Sequence, residues 1–344
     1  MTTHLNQLFQ SPLAAEYNLV HFQVGSEGRD EGRWRKAWRL LSSPLQFARA
    51  VRRHRPRIVH LNTSLERKSY WRDLAYLGIA KALGVRVLYQ VHGGALPQQF
   101  FAGRPLRTGL LRRVLRAADA VVLLAQEELR AYRAFDPALA LSVIPNAIEL
   151  GADPGLKHDD GQRPLVLAYV GRLAESKGIF DSVEALARVR QAGLAVRLVV
   201  AGGGPDEAAL RARVAALGLQ QAVQFAGPVF GPDKDRLWRE ADLFSFPTYH
   251  REGLPYALLE SMAARTPALI CPVGAIPDVM QDGVHGLFVP PRDPQALADA
   301  IVRLHGDRPL LRRMGQAARE RVVGQYSVAR LAADFGQAYR ALLD

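Results

Sequence analysis

Along this chain of 344 residues, short apolar runs alternate with stretches of helical period from one end to the other. In the first half the strand-like runs are NLVHFQV from Asn18, RIVHLN from Arg57, RVLYQVHGG from Arg86, AVVLLA from Ala120 and LSVIPN from Leu141. Helical patterns such as SPLQFARAVRRH and RDLAYLGIAKALG lie between them. The second half repeats the alternation with LVLAYVG (165–171), VRLVVAGGG (196–204), VQFAG (223–227), LFSFP (243–247), PALIC (267–271) and GLFVP (286–290). Two long helical patterns, 308–323 and 328–343, close the chain. Strands separated by helices predict βαβ units, and therefore parallel sheets covered on both faces. The polar stretch ELGADPGLKHDDGQRP (149–164), rich in Gly, Pro and Asp, reads as a linker. The expected organisation is one α/β domain over 1–150, a second over 164–325, and a terminal helical segment over 326–344. A complete Rossmann-like domain opens on a strand whose C-terminal loop carries glycines, whereas THLNQLFQSPLAAEY (3–17) reads as the helix that follows such a strand. The first strand is thus expected to be missing, with the native start upstream or the chain damaged.

Composition narrows the class. No apolar run reaches the roughly 18 residues a membrane span needs, since AADAVVLLA from Ala117 is short and contains Asp119. The opening MTTHLNQLFQSP lacks the basic lead and apolar core of an export signal, so a cytoplasmic location is expected. The single cysteine, Cys271, lies in an apolar run and reads as a buried structural thiol. Nine histidines form no HxH or HExxH cluster and there is no CxxC, so no metal site is expected. The net charge of +12 is uneven: residues 1–160 carry +9 and the remainder +3. In GRWRKAWR (32–39), Trp34 and Trp38 stand four apart among Arg33, Arg35, Lys36 and Arg39, a pattern suited to an anionic membrane surface. An ordinary solvated helix face has the same look. No nucleic-acid motif accompanies the charge.

Chemistry concentrates in EGLPYALLE, which sets Glu252 and Glu260 eight positions apart around a Gly-Leu-Pro turn. If a helix opens there, Glu252 sits in the loop before it and Glu260 about two turns along. The unpaired N–H groups of a helix start attract anions, so a phosphate bound there would have a hydroxyl-rich group on either side, the outline of a nucleotide sugar. Taken alone, two glutamates on a solvated face would be unremarkable. Their setting between LFSFP, a polar tip at 248–251, and PALIC is a strand-to-helix crossing, where open α/β sheets bind ligands. GRLAESKG (171–178) occupies another such crossing. Its Gly171 permits a tight turn, and Arg172 and Lys177 supply cations able to reach a diphosphate. VAGGGP (200–205) lacks the GxGxxG spacing and reads as a strand-to-helix turn near a nucleotide. HGG (92–94) ends a strand, with His92 either a ligand clamp or a satisfied loop histidine.

GRLAESKG, AGGGP, EGLPYALLE with the following SMAARTPALICPVGAIPDVMQDGVHGLFVPPRDPQALADAI, and the earlier VIPNAI (143–148) resemble the retaining GT-B glycosyltransferases of family 4. The likeness is specific over 165–325 and looser before it. It implies two Rossmann-like domains with parallel sheets facing across a cleft, acceptor binding in the first and nucleotide-sugar binding in the second, with the C-terminal helix crossing back to the first. It implies that Arg172 and Lys177 hold the donor diphosphate and that the backbone N–H groups of Gly253 and Leu254 meet the phosphates. Glu252 and Glu260 correspond to the two acids of the EX7E motif, the first on the donor sugar and the second on the ribose, and His92 corresponds to a histidine near the sugar. No metal is implied, and transfer is expected with retention of configuration. Gly274-Ala275 stands where the family has paired glycines. The resulting expectation is a metal-independent glycosyltransferase of cell-surface polysaccharide synthesis at the cytoplasmic membrane face, acting on a glycan or lipid-linked acceptor, with Trp34, Arg35, Trp38 and Arg39 touching the membrane. A nucleotide-binding scaffold without turnover and a nucleotide-sugar epimerase of the same architecture are the alternatives.

Overall fold

The computed structural model describes residues 2–24, 32–155 and 163–344; residues 156–162 of the expected linker therefore lie outside the described residues. Two compact units emerge. Unit 1 runs to Ala147 and takes back Val328–Asp344, while unit 2 is Ile148–Ser327. Chain leaving and chain returning run side by side: Ile148 pairs in parallel with Ser327, and its N–H donates to the Tyr326 carbonyl.

Unit 1 is built on strands β1 (Ile58–Leu65), β2 (Arg86–Gly94), β3 (Ala120–Leu123) and β4 (Leu141–Val143), all parallel, in the order β1-β2-β3-β4. Successive strand residues point to opposite faces, and the two faces are covered differently. Val87, Tyr89, Val91, Val121 and Leu123 face a core shared with Phe47, Tyr70 and Leu111. Leu88 and Val122 face the other way, onto Leu8, Leu13, Leu331, Phe335 and Tyr339. The terminal helix Val328–Leu343 thus forms one layer of unit 1, alongside the opening helix Thr2–Gln10. No strand precedes that opening helix among the described residues, and the run expected as a strand from Asn18 is irregular where it is described. Phe22 and Val24 pack on the core by their side chains without pairing to β1.

Unit 2 holds β5 (Leu165–Val170), β6 (Val196–Ala201), β7 (Val223–Gly227), β8 (Leu243–Phe246), β9 (Ala268–Ile270) and β10 (Gly286–Phe288) in one parallel sheet ordered β10-β9-β8-β5-β6-β7. β8 and β9 are buried along their whole length, as expected of strands covered on both faces. The order reverses direction at β5, whose neighbours are β8 and β6, and ligands of doubly wound sheets bind at such a switch point. Cys271, just past β9, is fully buried, and burial pushes its thiol up to about 12, consistent with a structural thiol.

Candidate functional site

The loops leaving β5, β6 and β8 are pressed together at backbone distance, and glycines make this packing possible. A Cβ on Gly202 would stand 1.9 Å from the Gly171 carbonyl oxygen, and one on Gly204 would stand 2.2 Å from that of Leu173. Gly178, in the left-handed region at φ 74°, lets the turn after β5 touch the Pro247 carbonyl, where a Cβ would come within 2.2 Å. Across this seam the N–H groups of Tyr249 and His250 both donate to the Ser176 carbonyl, at 3.1 and 3.0 Å. Gly171 therefore serves close loop packing, its own Cβ position lying 3.0 Å from the Phe246 ring.

On this base the structure brings together two residues 75 positions apart: Lys177 Nζ donates to Glu252 Oε1 at 2.6 Å. Both side chains are largely sheltered, at 18% and 13% exposure. The same carboxylate oxygen accepts from the Thr248 hydroxyl at 3.0 Å. Thr248, read from sequence as part of a polar tip, is fully buried, with its hydroxyl bonded within these loops. The Glu252 main chain is fixed from the other side, since its carbonyl accepts from Ala275 N at 3.2 Å. This contact needs Gly274 at φ 58°, where a Cβ would fall 1.9 Å from the Glu252 oxygen. The Gly-Ala pair after β9 thus keeps the glycine that matters.

Glu260 lies in the helix Tyr256–Ala263, whose N-cap is Pro255, so Gly253 and Leu254 sit in the loop just before the helix. The Glu260 carboxylate accepts from Lys234 Nζ at 2.7 Å and from Trp238 Nε1 at 3.3 Å. Lys234 and Trp238 stand on one face of the helix Gly231–Glu240, four residues apart. Sequence reasoning missed both; the i, i+4 pairing of a cation and an indole was the available signal. The Arg172 side chain is exposed, and its carbonyl accepts from the buried Tyr169 hydroxyl at 2.9 Å. Burial, reinforced by the Glu252 charge, pushes the Tyr169 hydroxyl well above its ordinary range, and burial with Glu260 does the same to Tyr256, so both remain proton donors. Next to the Lys177–Glu252 pair along the chain, Glu175, Phe180, Asp181, Tyr249 and Arg292 line a cavity of about 430 Å³. The Arg292 guanidinium there lies 4.4 Å from the Tyr249 ring centre, and burial raises the Asp181 carboxyl. Among the described residues no group of three or more His, Cys, Asp or Glu side chains is arranged to hold a metal ion.

In unit 1, His92 ends β2, with Gly94 at φ 105° allowing the chain to pass the Leu65 backbone. Its Nε2 donates to Asn62 Oδ1 at 2.9 Å, which leaves Nδ1 as an acceptor. His92 belongs to a cluster: His4 stands edge-on to it with ring centres 4.7 Å apart, and His60 bonds Gln90 Oε1 at 2.9 Å and the Tyr339 hydroxyl at 2.7 Å. By distance and angle neither ring nitrogen of the fully buried His4 makes a hydrogen bond, although the nearby Gln90 side chain favours its protonated form. Burial lowers His4 to about 3 and His60 to about 4, and burial next to His4 holds His92 well below its ordinary value. All three imidazoles are neutral at neutral pH.

Trp34, Arg35 and Trp38 are exposed, as expected from sequence. Arg39 is not among them: its guanidinium folds back to donate to the Val24 carbonyl and is half-buried. The side chains of Arg33 and Lys36 lie outside those described.

Solved structures share the fold. HepE of Anabaena, solved in complex with UDP, superposes with a TM-score of 0.73 at 18% identity, covering 87% of this chain and 82% of HepE. Sucrose-phosphate synthase of Thermosynechococcus elongatus gives 0.72 at 24% identity, covering 94% and 83%. The fold is GT-B, two Rossmann-like α/β domains with parallel sheets. Residues 157–321 match the family described as glycosyl transferases group 1, and residues 12–147 match the glycosyl transferase 4-like domain. The chain is 31% identical over 264 residues, 72% of its length and 68% of the relative's, to the GDP-mannose-dependent alpha-(1-6)-phosphatidylinositol monomannoside mannosyltransferase of Mycobacterium tuberculosis. It is 29% identical to the alpha-D-kanosaminyltransferase of Streptomyces kanamyceticus, covering 77% and 72%. It also matches an exopolysaccharide phosphotransferase of Streptomyces coelicolor at 34%, over 52% of this chain and 19% of that much longer protein. The chain belongs to the glycosyl transferases group 1 family.

Proposed function

We propose that this protein transfers a glycosyl group from a nucleotide-sugar donor to a glycan or lipid-linked acceptor, with retention of anomeric configuration and without a metal ion, in the synthesis of a cell-surface polysaccharide. The observation that carries the reading is the Lys177–Glu252 contact at 2.6 Å, made by two loops that leave adjacent strands of the unit 2 sheet, with Glu260 in the helix that follows, a little over one turn from its start rather than two. A diphosphate entering this site exchanges the carboxylate for phosphoryl oxygens around Lys177, and the exposed Arg172 adds a second cation. That release frees Glu252 for the sugar hydroxyls, and Glu260 accepts from the ribose hydroxyls. The N–H groups of Gly253 and Leu254, at the mouth of the Tyr256–Ala263 helix, address the phosphates. In the reaction the acceptor oxygen forms a bond to the anomeric carbon as the bond from that carbon to the diphosphate oxygen breaks. The acceptor's proton passes to the departing diphosphate, and the negative charge gathered there is stabilised by Arg172, Lys177 and the helix start, the work a divalent ion does elsewhere.

Relatives support the polymer reading by their names: the exopolysaccharide phosphotransferase, and an amylovoran biosynthesis glycosyltransferase of Erwinia amylovora that is 33% identical over 46% of this chain. In unit 1, His92 is carried as a further catalytic candidate, its unprotonated Nδ1 able to accept a hydrogen bond from a sugar hydroxyl. Acceptor binding falls to unit 1, and the site of action is the inner face of the cytoplasmic membrane.

The test is a thermal-shift and calorimetry panel of nucleoside diphosphates and nucleotide sugars, with and without EDTA, followed by product analysis with the donor that binds. One base should bind selectively, unaffected by EDTA, and Glu252→Gln should abolish transfer while nucleoside diphosphate affinity stays within about threefold, as expected when only a group acting on the transferred sugar is lost. Equal loss of binding and transfer would remove Glu252 from the sugar. Binding without turnover would support a scaffold, and isomerised free donor would support an epimerase. For His92→Ala, a normal rate would remove that residue from the chemistry.

A further inference from the structure

We infer that the outer face of the helix Arg33–His54 is a docking surface for an anionic lipid bilayer, built from four apolar side chains and the guanidinium groups that follow them. Trp34, Trp38, Leu41 and Leu45 are 90%, 73%, 76% and 66% exposed. Their spacing of four, three and four puts them on one stripe of a helix with 3.6 residues per turn, about 16 Å long. The helix does not need this stripe to hold its place. Its opposite side buries Ser43, Phe47 and Val51, with the Ser43 hydroxyl 2.7 Å from that of Tyr76 and the Phe47 ring 5.1 Å from the Tyr76 ring. One side therefore serves the core of unit 1, and among the described residues the other is an exposed apolar surface. Lone exposed leucines are ordinary on a protein surface, but a line of four large apolar groups, two of them indoles, is not.

Charge identifies what covers it. The helix carries seven Arg and Lys residues and no Asp or Glu. Arg35 stands next to the stripe, and Arg49, Arg52 and Arg53 continue it toward the C-terminal end, all exposed. A second copy of the chain on this face would bring the exposed Arg35, Arg49, Arg52 and Arg53 against the same four cations with no acid from the helix between them, which disfavours self-association. Nucleic acid would satisfy the cations but has no use for Leu41 and Leu45. A bilayer with anionic headgroups satisfies both sets: indoles and leucines enter the headgroup boundary while guanidiniums pair with lipid phosphates. No helix of the described chain is long and apolar enough to cross a membrane, so the helix lies in the plane of the surface. This inference stands independently of the proposed transfer reaction.

The experiment is vesicle flotation of the full chain with phosphatidylcholine alone and with phosphatidylcholine plus phosphatidylglycerol, with tryptophan quenching by brominated lipid as a second readout. The chain should float with the anionic vesicles only and release as salt rises, and its tryptophans should be quenched. Replacing Trp34, Trp38, Leu41 and Leu45 with Ser should lower the partition coefficient by at least about a hundredfold, given the apolar area withdrawn from the lipid. Arg35→Glu with Arg49→Glu and Arg52→Glu should lower it by at least about tenfold and remove the salt dependence. Absence of flotation with either vesicle, or unchanged flotation of both variants, overturns the inference. A dimer in light scattering that the serine variant converts to monomer, with vesicle binding unchanged, overturns it in favour of a second copy. If the serine variant misfolds, the charge variant and the quenching of the unaltered chain still decide.

Discussion

The ion pair at the candidate donor site is a contact between residues whose neighbours in the chain leave them little freedom. Lys177 is held by a turn that only glycine at 178 can complete, and Glu252 by a loop whose carbonyl presses on Gly274. Gly274→Ala would have to displace that carbonyl and hold alanine at positive φ, at a cost of about 1–3 kcal/mol. Transfer should fall by at least tenfold with the nucleotide affinity of Lys177 largely kept; a wild-type rate would show that the Glu252 loop is not positioned from this side. The pair itself is sheltered but not sealed, so a double-mutant cycle with Lys177→Met and Glu252→Gln should give a coupling of about 1–2 kcal/mol in urea unfolding, above the range of exposed pairs. A coupling near zero would mean that the contact contributes to binding but not to the fold. Lys177→Ala should also weaken a nucleoside diphosphate more than the bare nucleoside, because only the former meets the ammonium.

Helices distribute the functions between them. Glu260 was legible as the second acid of a spaced pair, whereas the groups that hold it, Lys234 and Trp238, come from a helix that precedes β8 and meets it only in three dimensions. Trp238→Phe and Lys234→Ala should each raise the donor KM with little change in kcat, since they orient a binding group and touch no reacting atom; a loss confined to kcat would contradict that role. The helix Val328–Leu343 has a structural task. Leu331, Phe335, Tyr339 and Leu342 are each less than a tenth exposed and cover the face of the unit 1 sheet that carries Leu88 and Val122. At about 2 kcal/mol for each such side chain, their loss approaches the whole stability of a typical domain, about 5–15 kcal/mol. A chain ending at Ser327 should therefore bind hydrophobic dye and be proteolysed within residues 2–147 while unit 2 stays resistant; protection of both would show that the layer is dispensable.

At the scale of the whole molecule, the buried histidines of unit 1 make stability depend on pH. His4 and His60 have folded values of about 3 and 4, and His92 is also depressed, against about 6.5 in an unfolded chain, so the unfolded state binds protons first as pH falls. Their full contribution is present above about pH 6.5, is lost as pH drops toward 4, and levels off below the folded values. Urea midpoints measured from pH 7 to pH 4 should fall along that window, and His4→Leu, which removes a fully buried imidazole whose protonation burial opposes, should flatten the slope. A slope unchanged in the variant would assign the effect elsewhere. By itself the sequence determined the alternation of strands and helices, the restart of the pattern after the polar linker, and the two loops that carry cations and acids. These are local periodicities and short spacings, which propensity and turn chemistry impose wherever the segment sits. Only tertiary structure decided that Asn18–Val24 forms no strand: β1 is the edge of its sheet, yet this run packs on the core through Phe22 and Val24 and does not pair with it. It also decided that Arg39 turns back to Val24, that Thr248 is buried under Glu252, and that Lys177 and Glu252 meet. Lys177 and Glu252 stand 75 positions apart, and even the shorter-range contacts depend on which surfaces must be covered together, so no spacing along one segment encodes them.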